Sequence, residues 1–139
     1  MTEVLPEKLW VGVVHESRDL RRLYDLGVEA VVDFAASEPP ATLGRDMVYC
    51  RIPISDGVGN PYELLKLAVL TVEQLIRAGR PTMVVCGAGL SRSPCIVSAA
   101  VARVRNTSPE SVLKEVAERH HCNVSPGFWS ELLTALRKT

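Results

Sequence analysis

Short continuous apolar runs alternate along the chain with stretches in which apolar residues recur every three or four positions. The runs are typical of buried strands, and they cover Leu9–Val14, Val28–Phe34, Met47–Ile54 and Thr82–Val85. The spaced stretches between and after them are typical of helices that bury one face. The pattern therefore predicts an α/β fold, with a central sheet flanked by helices on both faces.

Polar caps and glycines predict where the helices begin and end. Side-chain oxygens at an N-cap accept from the first free N–H groups of a helix, and glycine adopts the left-handed angles that stop one. The predicted caps are Ser17, Asn60, Ser108 and Ser125, the predicted stops are Gly27 and Gly79, and a further helix is predicted over Ser93 to Val104.

The composition is typical of one soluble domain, and we expect residues 1–139 to form it. Apolar residues make up 47% and charged residues 23% of the chain, and 16 basic residues balance 16 acidic ones. This balance argues against a nucleic acid or a membrane as partner. The N-terminus lacks the basic start and apolar run of a signal peptide, so we expect a cytoplasmic protein. The oligomeric state is open, with a monomer as the default.

The four cysteines, Cys50, Cys86, Cys95 and Cys122, form no Cys-x-x-Cys pair. Neither a zinc site nor a thioredoxin-like motif is therefore predicted, and the thiols of a cytoplasmic protein should stay reduced. Most of these cysteines are expected to pack as small apolar residues. Cys86 differs, because it follows the fourth predicted strand and opens a glycine-rich loop.

The loop from Cys86 to Ser93 has the features of an anion-binding site. It joins a predicted strand to a predicted helix, so backbone N–H groups and a helix N-terminus can present positive potential to one ligand. Gly87 and Gly89 allow left-handed backbone angles and a close approach of that ligand. The loop is therefore predicted to cradle a group of the size of phosphate.

Three side chains of this loop suit nucleophilic displacement at phosphorus. Helix N-termini and nearby cations stabilise thiolates, so Cys86 is the expected nucleophile. The planar guanidinium of Arg92 can hold two oxygens of a phosphoryl group. The hydroxyl of Ser93 is expected to hydrogen-bond the sulfur and to ease its later departure.

Two other interpretations of the loop stay open at the level of the residues. Gly87 to Arg92 is similar to a dinucleotide-binding fingerprint, although Arg92 replaces the third glycine and no acidic residue ends a following strand. The loop could also be a tight structural turn beside a buried cysteine. No Gly-Lys-Ser/Thr follows, so a nucleotide-triphosphatase loop is excluded.

The loop resembles the signature His-Cys-x5-Arg-Ser/Thr of the dual specificity branch of the protein tyrosine phosphatases. The similarity covers nearly the whole chain, since an opening strand, an acid loop and a closing helix of the family also have counterparts. The matching residues are Cys86, Ala88, Gly89, Ser91, Arg92, Ser93 and Pro94 in the loop, Leu9 to Gly12 in the strand, Asp56 and Asn60 in the acid loop, and Pro126 to Phe128 with Leu132 in the helix.

The resemblance implies a mixed, roughly five-stranded sheet and a two-step hydrolysis of phosphate monoesters through a cysteinyl-phosphate, without a metal or another cofactor. Cys86 would attack phosphorus, Arg92 would stabilise the transition state, and Asp56 would protonate the leaving oxygen and then deprotonate water. Ser93 would assist breakdown of the intermediate. The backbone amides that would hold the phosphoryl oxygens belong to Gly87, Ala88, Gly89, Leu90, Ser91 and Arg92.

Asp56 is assigned as the acid on weaker sequence evidence than Cys86 or Arg92. An Asp-Gly pair such as Asp56 with Gly57 typically forms a turn, and only the resemblance favours a catalytic role. Asp33 and Asp46 are weaker candidates, because Asp33 lies within an apolar strand and Asp46 precedes one.

One position departs from the family pattern. Val85 stands where the family has a histidine that organises the hydrogen bonds of the loop, so we expect a looser loop with the same chemistry. His15, His120 and His121 are expected to be surface or capping groups, since no partner at metal-ligand spacing accompanies them.

The five variable loop residues, 87–91, carry no charge, whereas relatives that act on inositol lipids tend to have lysines there. We therefore expect a shallow pocket for phosphotyrosine and phosphoserine or phosphothreonine in a protein or peptide. Two rival functions stay open: a phosphate-binding module with little turnover, and a phosphatase of a lipid, nucleotide or RNA end. A sulfur-transfer domain also has a cysteine in an anion loop, but it would not need Asp56.

Overall fold

The structure is a computed structural model that describes residues 1–138. Its strands are β1 Thr2–Leu5, β2 Leu9–Val13, β3 Ala30–Asp33, β4 Val48–Arg51 and β5 Thr82–Cys86. Its helices are α1 Leu20–Leu26, α2 Tyr62–Arg77, α3 Arg92–Arg105, α4 Pro109–Arg119 and α5 Pro126–Arg137, with a 3-10 helix over Val14–Arg18. Within these residues no helix has the length and apolar character needed to cross a membrane.

The strands form one mixed sheet in the order β1-β2-β5-β3-β4, which confirms the predicted fold class. β1 pairs antiparallel with β2, and all other neighbours are parallel. Cys86 pairs with Val13 and Val85 with Asp33, so the three central strands end at the same edge. In parallel sheets ligands bind outside this carboxyl edge, because the loops that leave the strands meet there.

Successive residues of a strand face opposite sides of the sheet, and each side is covered by its own apolar cluster. Val84 and Cys86 belong to the larger cluster, which the sheet forms with α2, α3, α4 and α5. Met83 and Val85 belong to the smaller cluster on the side of α1. The three central strands, β2, β3 and β5, are therefore buried on both faces, as their continuous apolar runs predict, whereas no residue of the edge strand β4 is buried.

Most of the predicted helix ends are confirmed. Ser108 and Ser125 cap α4 and α5 through their side chains, and Gly27 ends α1 in a left-handed conformation. The prediction for Ser17 is wrong, because this residue lies in the 3-10 helix and its hydroxyl donates to a carbonyl of that turn. α1 begins two residues later than predicted, with Asp19 as its N-cap.

Candidate active site

The glycine-rich loop begins at Cys86, the last residue of β5, and ends at Arg92, the first residue of α3. Gly89 has a φ of 70°, and a Cβ there would lie 2.8 Å from the Gly12 carbonyl oxygen, so the loop approaches β2 more closely than other residues allow. Gly87 serves a different purpose, because a Cβ there would lie 2.9 Å from Nη2 of Arg92. Of the two glycines predicted to adopt left-handed angles, only Gly89 does so, and the prediction for Gly87 is wrong. Gly87 instead makes room for the side chain of Arg92.

A pocket of about 120 Å³ opens beside the loop. Cys86 is 2% exposed and lines this pocket, so its side chain borders a hollow of anionic-group size rather than the apolar interior alone. Two larger surface cavities, of about 510 and 380 Å³, contain none of the predicted catalytic residues. The small pocket is lined by Asp56, Cys86, Ala88, Leu90, Ser91, Arg92 and Asn123.

The backbone of the loop leaves its donors free. Among residues 1–138, no carbonyl or side chain accepts a hydrogen bond from the N–H groups of residues 87–91. N–H groups beside a pocket that have no acceptor within the described chain are available to an anionic ligand. The prediction that these amides bind phosphoryl oxygens is consistent with this arrangement.

Arg92 is held by the ends of two strands. Its Nη1 donates to the carbonyl of Phe34 at 3.2 Å and to that of Ile54 at 2.8 Å, and both residues lie just beyond β3 and β4. Its Nη2 reaches Gly87 at the start of the loop. The guanidinium is therefore oriented by backbone carbonyls and lines the pocket without a carboxylate within salt-bridge distance in the described chain.

Asp56 lies on an exposed loop and is tied to the glycine-rich loop. Its Oδ1 accepts from the Ser91 hydroxyl at 2.9 Å, and the same hydroxyl oxygen accepts from the backbone N–H of Ser125 at 3.0 Å. Asn60 does not cap α2 as predicted. Its amide closes the acid loop instead, by accepting from the Ser55 N–H at 2.9 Å and donating to the Ser55 carbonyl at 2.7 Å.

The two weaker acid candidates lie outside the pocket. Asp33 is 1% exposed and accepts from the Ala35 N–H at 2.9 Å and the Tyr49 hydroxyl at 2.7 Å, which gives it a structural role. Burial, together with the carboxylate of Asp33, raises the pKa of Tyr49, so this phenol stays protonated and keeps donating. Asp46 accepts from the Tyr24 hydroxyl at 3.0 Å.

Ser93 is fully buried at the start of α3, and its hydroxyl has no hydrogen-bond partner among residues 1–138. The predicted hydrogen bond to the sulfur of Cys86 is therefore not made in this structure. A buried hydroxyl without a partner is costly, and such groups often have a role in which they gain a partner. The role of Ser93 in breakdown of an intermediate stays a prediction.

Two other thiols, that of the buried Cys95 and that of the half-buried Cys122, differ from Cys86 in position. Burial raises the pKa of Cys95, which lies in α3, and that of Cys122, which follows α4. The thiol of Cys122 donates to the His120 carbonyl at 3.3 Å. Both groups are therefore protonated at neutral pH, as expected for cysteines that pack as apolar residues, and neither lines the small pocket.

His120 contacts the glycine-rich loop, which was not predicted from the sequence. It stands at the C-cap position of α4, as expected of a capping group, but its Nε2 also lies 2.7 Å from the Gly89 carbonyl oxygen. Val85, where the family has its histidine, is fully buried in the cluster on the side of α1. No sequence signal marks the contact of His120, because it joins residues 31 positions apart that belong to no common motif.

Comparison with known proteins identifies similar sequences and folds. Residues 9–138 match the family described as dual specificity phosphatase, catalytic domain. The chain is 31% identical over 134 residues to human dual specificity protein phosphatase 15, which covers 95% of this chain. It resembles the crystal structure of human DUSP28 with a TM-score of 0.85 and 24% identity, over 99% of this chain and 96% of that one.

A second solved structure extends the fold comparison. The human tyrosine phosphatase-like serine/threonine/tyrosine-interacting protein superposes with a TM-score of 0.83 at 21% identity, over 99% of this chain and 95% of that one. At such identities the two structures support the fold alone. The chain covers 45% of human dual specificity protein phosphatase 15 and 56% of its mouse counterpart, so it spans about half the length of these curated relatives.

Proposed function

Because this chain belongs to the dual specificity phosphatase catalytic-domain family, we propose that it hydrolyses phosphotyrosine and phosphoserine or phosphothreonine monoesters in proteins. One observation carries the proposal: Cys86, Arg92 and Asp56 line the same small pocket, beside a loop whose N–H groups have no acceptor in residues 1–138. A thiol nucleophile, a cation and a carboxylic acid around an anion cradle are the parts that this reaction needs.

In the first step the sulfur of Cys86 attacks phosphorus. The phosphorus–sulfur bond forms as the bond between phosphorus and the ester oxygen breaks. The amides of residues 87–92 and the guanidinium of Arg92 bind the three outer oxygens, on which the transition-state charge lies. Asp56 gives its proton to the leaving oxygen, which would otherwise depart as an alkoxide or phenoxide.

In the second step a water molecule attacks the cysteinyl-phosphate. Asp56, now a carboxylate, takes the proton from that water, and the sulfur leaves as a thiolate with inorganic phosphate as product. The buried hydroxyl of Ser93 can turn to the departing sulfur, because it has no other described partner. The tie from Ser91 to Asp56 keeps the acid beside the loop through both steps.

The rim of the pocket favours a single phosphate over a polyanion. Ala88 and Leu90 line it without charge. Oε1 of Glu38 lies 3.7 Å from the position of a Cβ at Gly87, so a carboxylate outside the catalytic group stands near the loop. A carboxylate repels additional phosphates, which supports a phosphoprotein as the substrate rather than an inositol polyphosphate.

A phosphate-binding module with little turnover is the second candidate. Two observations favour it: Val85 packs in the apolar interior where the family has a histidine, and Ser93 makes no hydrogen bond to the sulfur. The two candidates differ in turnover alone, since both require the same anion site.

Hydrolysis of aryl phosphates by the wild type and three variants tests the proposal. We expect turnover by the wild type, and near-complete loss in Cys86→Ser and Arg92→Ala. Asp56→Asn should lose on the order of 10²-fold in kcat while still binding phosphate. Its loss should be larger for phenyl phosphate than for nitrophenyl phosphate, because a more basic leaving oxygen depends more on a proton donor.

The outcomes separate the candidates. Asp46→Asn is the matched control, since Asp46 lies outside the pocket, and it should keep the wild-type rate. Phosphate binding without turnover by the wild type would favour the binding module. Full activity of Cys86→Ser would contradict the mechanism, and activity on a phosphotyrosine peptide alone, in a panel with phosphoserine and phosphothreonine peptides, would contradict the dual specificity.

A further inference from the structure

His120 connects the end of α4 to both the glycine-rich loop and β1. Its Nε2 lies 2.7 Å from the carbonyl oxygen of Gly89, and its Nδ1 lies 2.6 Å from Oγ1 of Thr2. The side chain is half-buried, and it is not among the groups that line the pocket. The imidazole therefore supports the loop from its outer side.

The partners of the ring decide where its proton lies. A carbonyl oxygen can only accept, so Nε2 must carry the hydrogen in the bond to Gly89. In the neutral ring Nδ1 then accepts, and the hydroxyl of Thr2 is the matching donor. The arrangement favours the Nε2–H tautomer of His120 and makes it a fixed donor to the loop.

The carbonyl of Gly89 and the N–H of Leu90 belong to one peptide unit. In a planar trans unit these two groups point in opposite directions. His120 holds the carbonyl on the outer side of the loop, so the N–H of Leu90 is directed to the other side, where Leu90 lines the pocket. The backbone N–H of Asn123 binds the next carbonyl, that of Leu90, at 2.9 Å.

We infer that His120 is a positioning residue, which orients the amides of the glycine-rich loop for the oxyanion. From outside the loop it supplies the hydrogen bonding that the family's histidine provides at the position of Val85. The inference rests on the proposed function, because it assigns the oriented amides to a phosphoryl group. It replaces the expectation of a looser loop: two donors from the segment between α4 and α5 hold consecutive peptide units.

Three variants test the inference. His120→Ala removes the donor, and His120→Gln keeps an N–H at nearly the same distance from the backbone. His121→Ala is the matched control, since its exposed side chain is the neighbour in sequence. The affinity for inorganic phosphate is measured by titration calorimetry, kcat and KM are measured with an aryl phosphate, and thermal unfolding reports stability.

We expect His120→Ala to bind phosphate about fivefold more weakly, the loss of one net hydrogen bond, with a similar rise in KM and a further fall in kcat. His120→Gln should recover most of the affinity, and His121→Ala should match the wild type. Equal phosphate affinity in His120→Ala and the wild type would overturn the inference. So would an equally weak His120→Gln whose melting temperature is that of the wild type.

Nitrogen NMR of the wild type keeps the inference testable if His120→Ala does not fold. The neutral ring should be in the Nε2–H form, and a neutral ring in the Nδ1–H form would overturn the inference, because Nε2 could not then donate to Gly89. Failure of the proposed function is distinguishable: the wild type would bind phosphate without turnover, while calorimetry on the variants would still decide the role of His120.

Discussion

At the scale of single residues, Ser91 joins three segments that are far apart in sequence. Its hydroxyl donates to Asp56 and accepts from the N–H of Ser125, and its side chain lines the pocket. The hydroxyl therefore ties the acid loop and the start of α5 to the glycine-rich loop. A general acid must be held within reach of the leaving oxygen, so this tie belongs to the proposed mechanism.

We predict that Ser91→Ala lowers kcat about tenfold, because Asp56 loses the bond that orients it. Steady-state kinetics with phenyl phosphate checks this. Ser98→Ala is the control, since the buried Ser98 hydroxyl donates to the Pro94 carbonyl in its own helix and has no other partner among residues 1–138. In the Asp56→Asn background Ser91→Ala should have almost no further effect, and independent, additive losses would disprove the coupling.

Gly79 and Gly89 both have left-handed backbone angles, but only at Gly89 would a side chain also clash with a neighbouring strand. Gly79 and Gly89 have φ angles of 72° and 70°, which strain any other residue. A Cβ at Gly79 would meet nothing within 4 Å, whereas a Cβ at Gly89 would meet the backbone of Gly12. The glycine at 89 is therefore required by conformation and by space.

We predict that Gly79→Ala lowers the free energy of unfolding by about 1 kcal/mol, from strain alone. Gly89→Ala should cost about 2–4 kcal/mol, because the loop must also move away from β2. Urea unfolding measures both, and calorimetry should show weaker phosphate binding only in Gly89→Ala. An equal loss of unfolding free energy in the two variants would show that the clash with Gly12 does not add to the cost of a side chain at position 89.

At the scale of elements, a buried carboxylate joins α2 to α3. Glu73 of α2 is 5% exposed and accepts from Arg103 of α3 at 2.6 Å and from Arg77 of its own helix at 2.9 Å. Burial opposes ionisation of Glu73, but the hydrogen bonds and charges of the two arginines outweigh it and lower its pKa. The carboxylate is therefore charged at neutral pH and stabilises the folded state.

A lowered pKa means that the unfolded chain binds the proton more tightly than the folded one. The stability that Glu73 contributes is therefore complete above the ordinary value of 4.5 and is lost as the pH falls through the lowered value. We predict that Glu73→Gln lowers the free energy of unfolding by about 1–2 kcal/mol at neutral pH.

Urea unfolding over a range of pH tests this prediction. The difference between the wild type and Glu73→Gln should shrink as the pH falls below 4.5. Glu115→Gln is the control, since its pair with Arg105 is exposed and should contribute little at any pH. A difference that stays constant in acid would contradict the assigned cause.

The local pattern of apolar and polar residues predicts most strands and helices, but not all of them and not all of their caps. The alternation of apolar runs and helical spacing predicts β2 to β5 and all five helices. β4 itself has no buried residue, but the run that predicts it includes the buried Met47, Ile52 and Ile54 on either side of the strand. β1 was not predicted, since only one of its four residues, Val4, is buried and the strand is ordered by its pairing with β2. Ser17 and Asn60 fail as caps, because their polar groups find closer partners in neighbouring turns.

At the scale of the whole molecule, the parallel sheet assembles the site. β2, β5 and β3 end at one edge, which sets the glycine-rich loop against Gly12 and places the backbone carbonyls of Phe34 and Ile54 around Arg92. The helix layer then adds the segment between α4 and α5, which reaches the loop through His120. Each contact joins parts of the chain that only the complete fold brings together.

The sequence by itself determined the elements with a buried face, the family, and the pocket residues Cys86, Arg92 and Asp56, because each depends on a local pattern or a motif. The tertiary structure alone decided that Ser91 holds Asp56 and that His120 holds Gly89. The reason is physical: a hydrogen bond forms between whichever groups the packed sheet and helices bring within about 3 Å, and no local pattern records that distance.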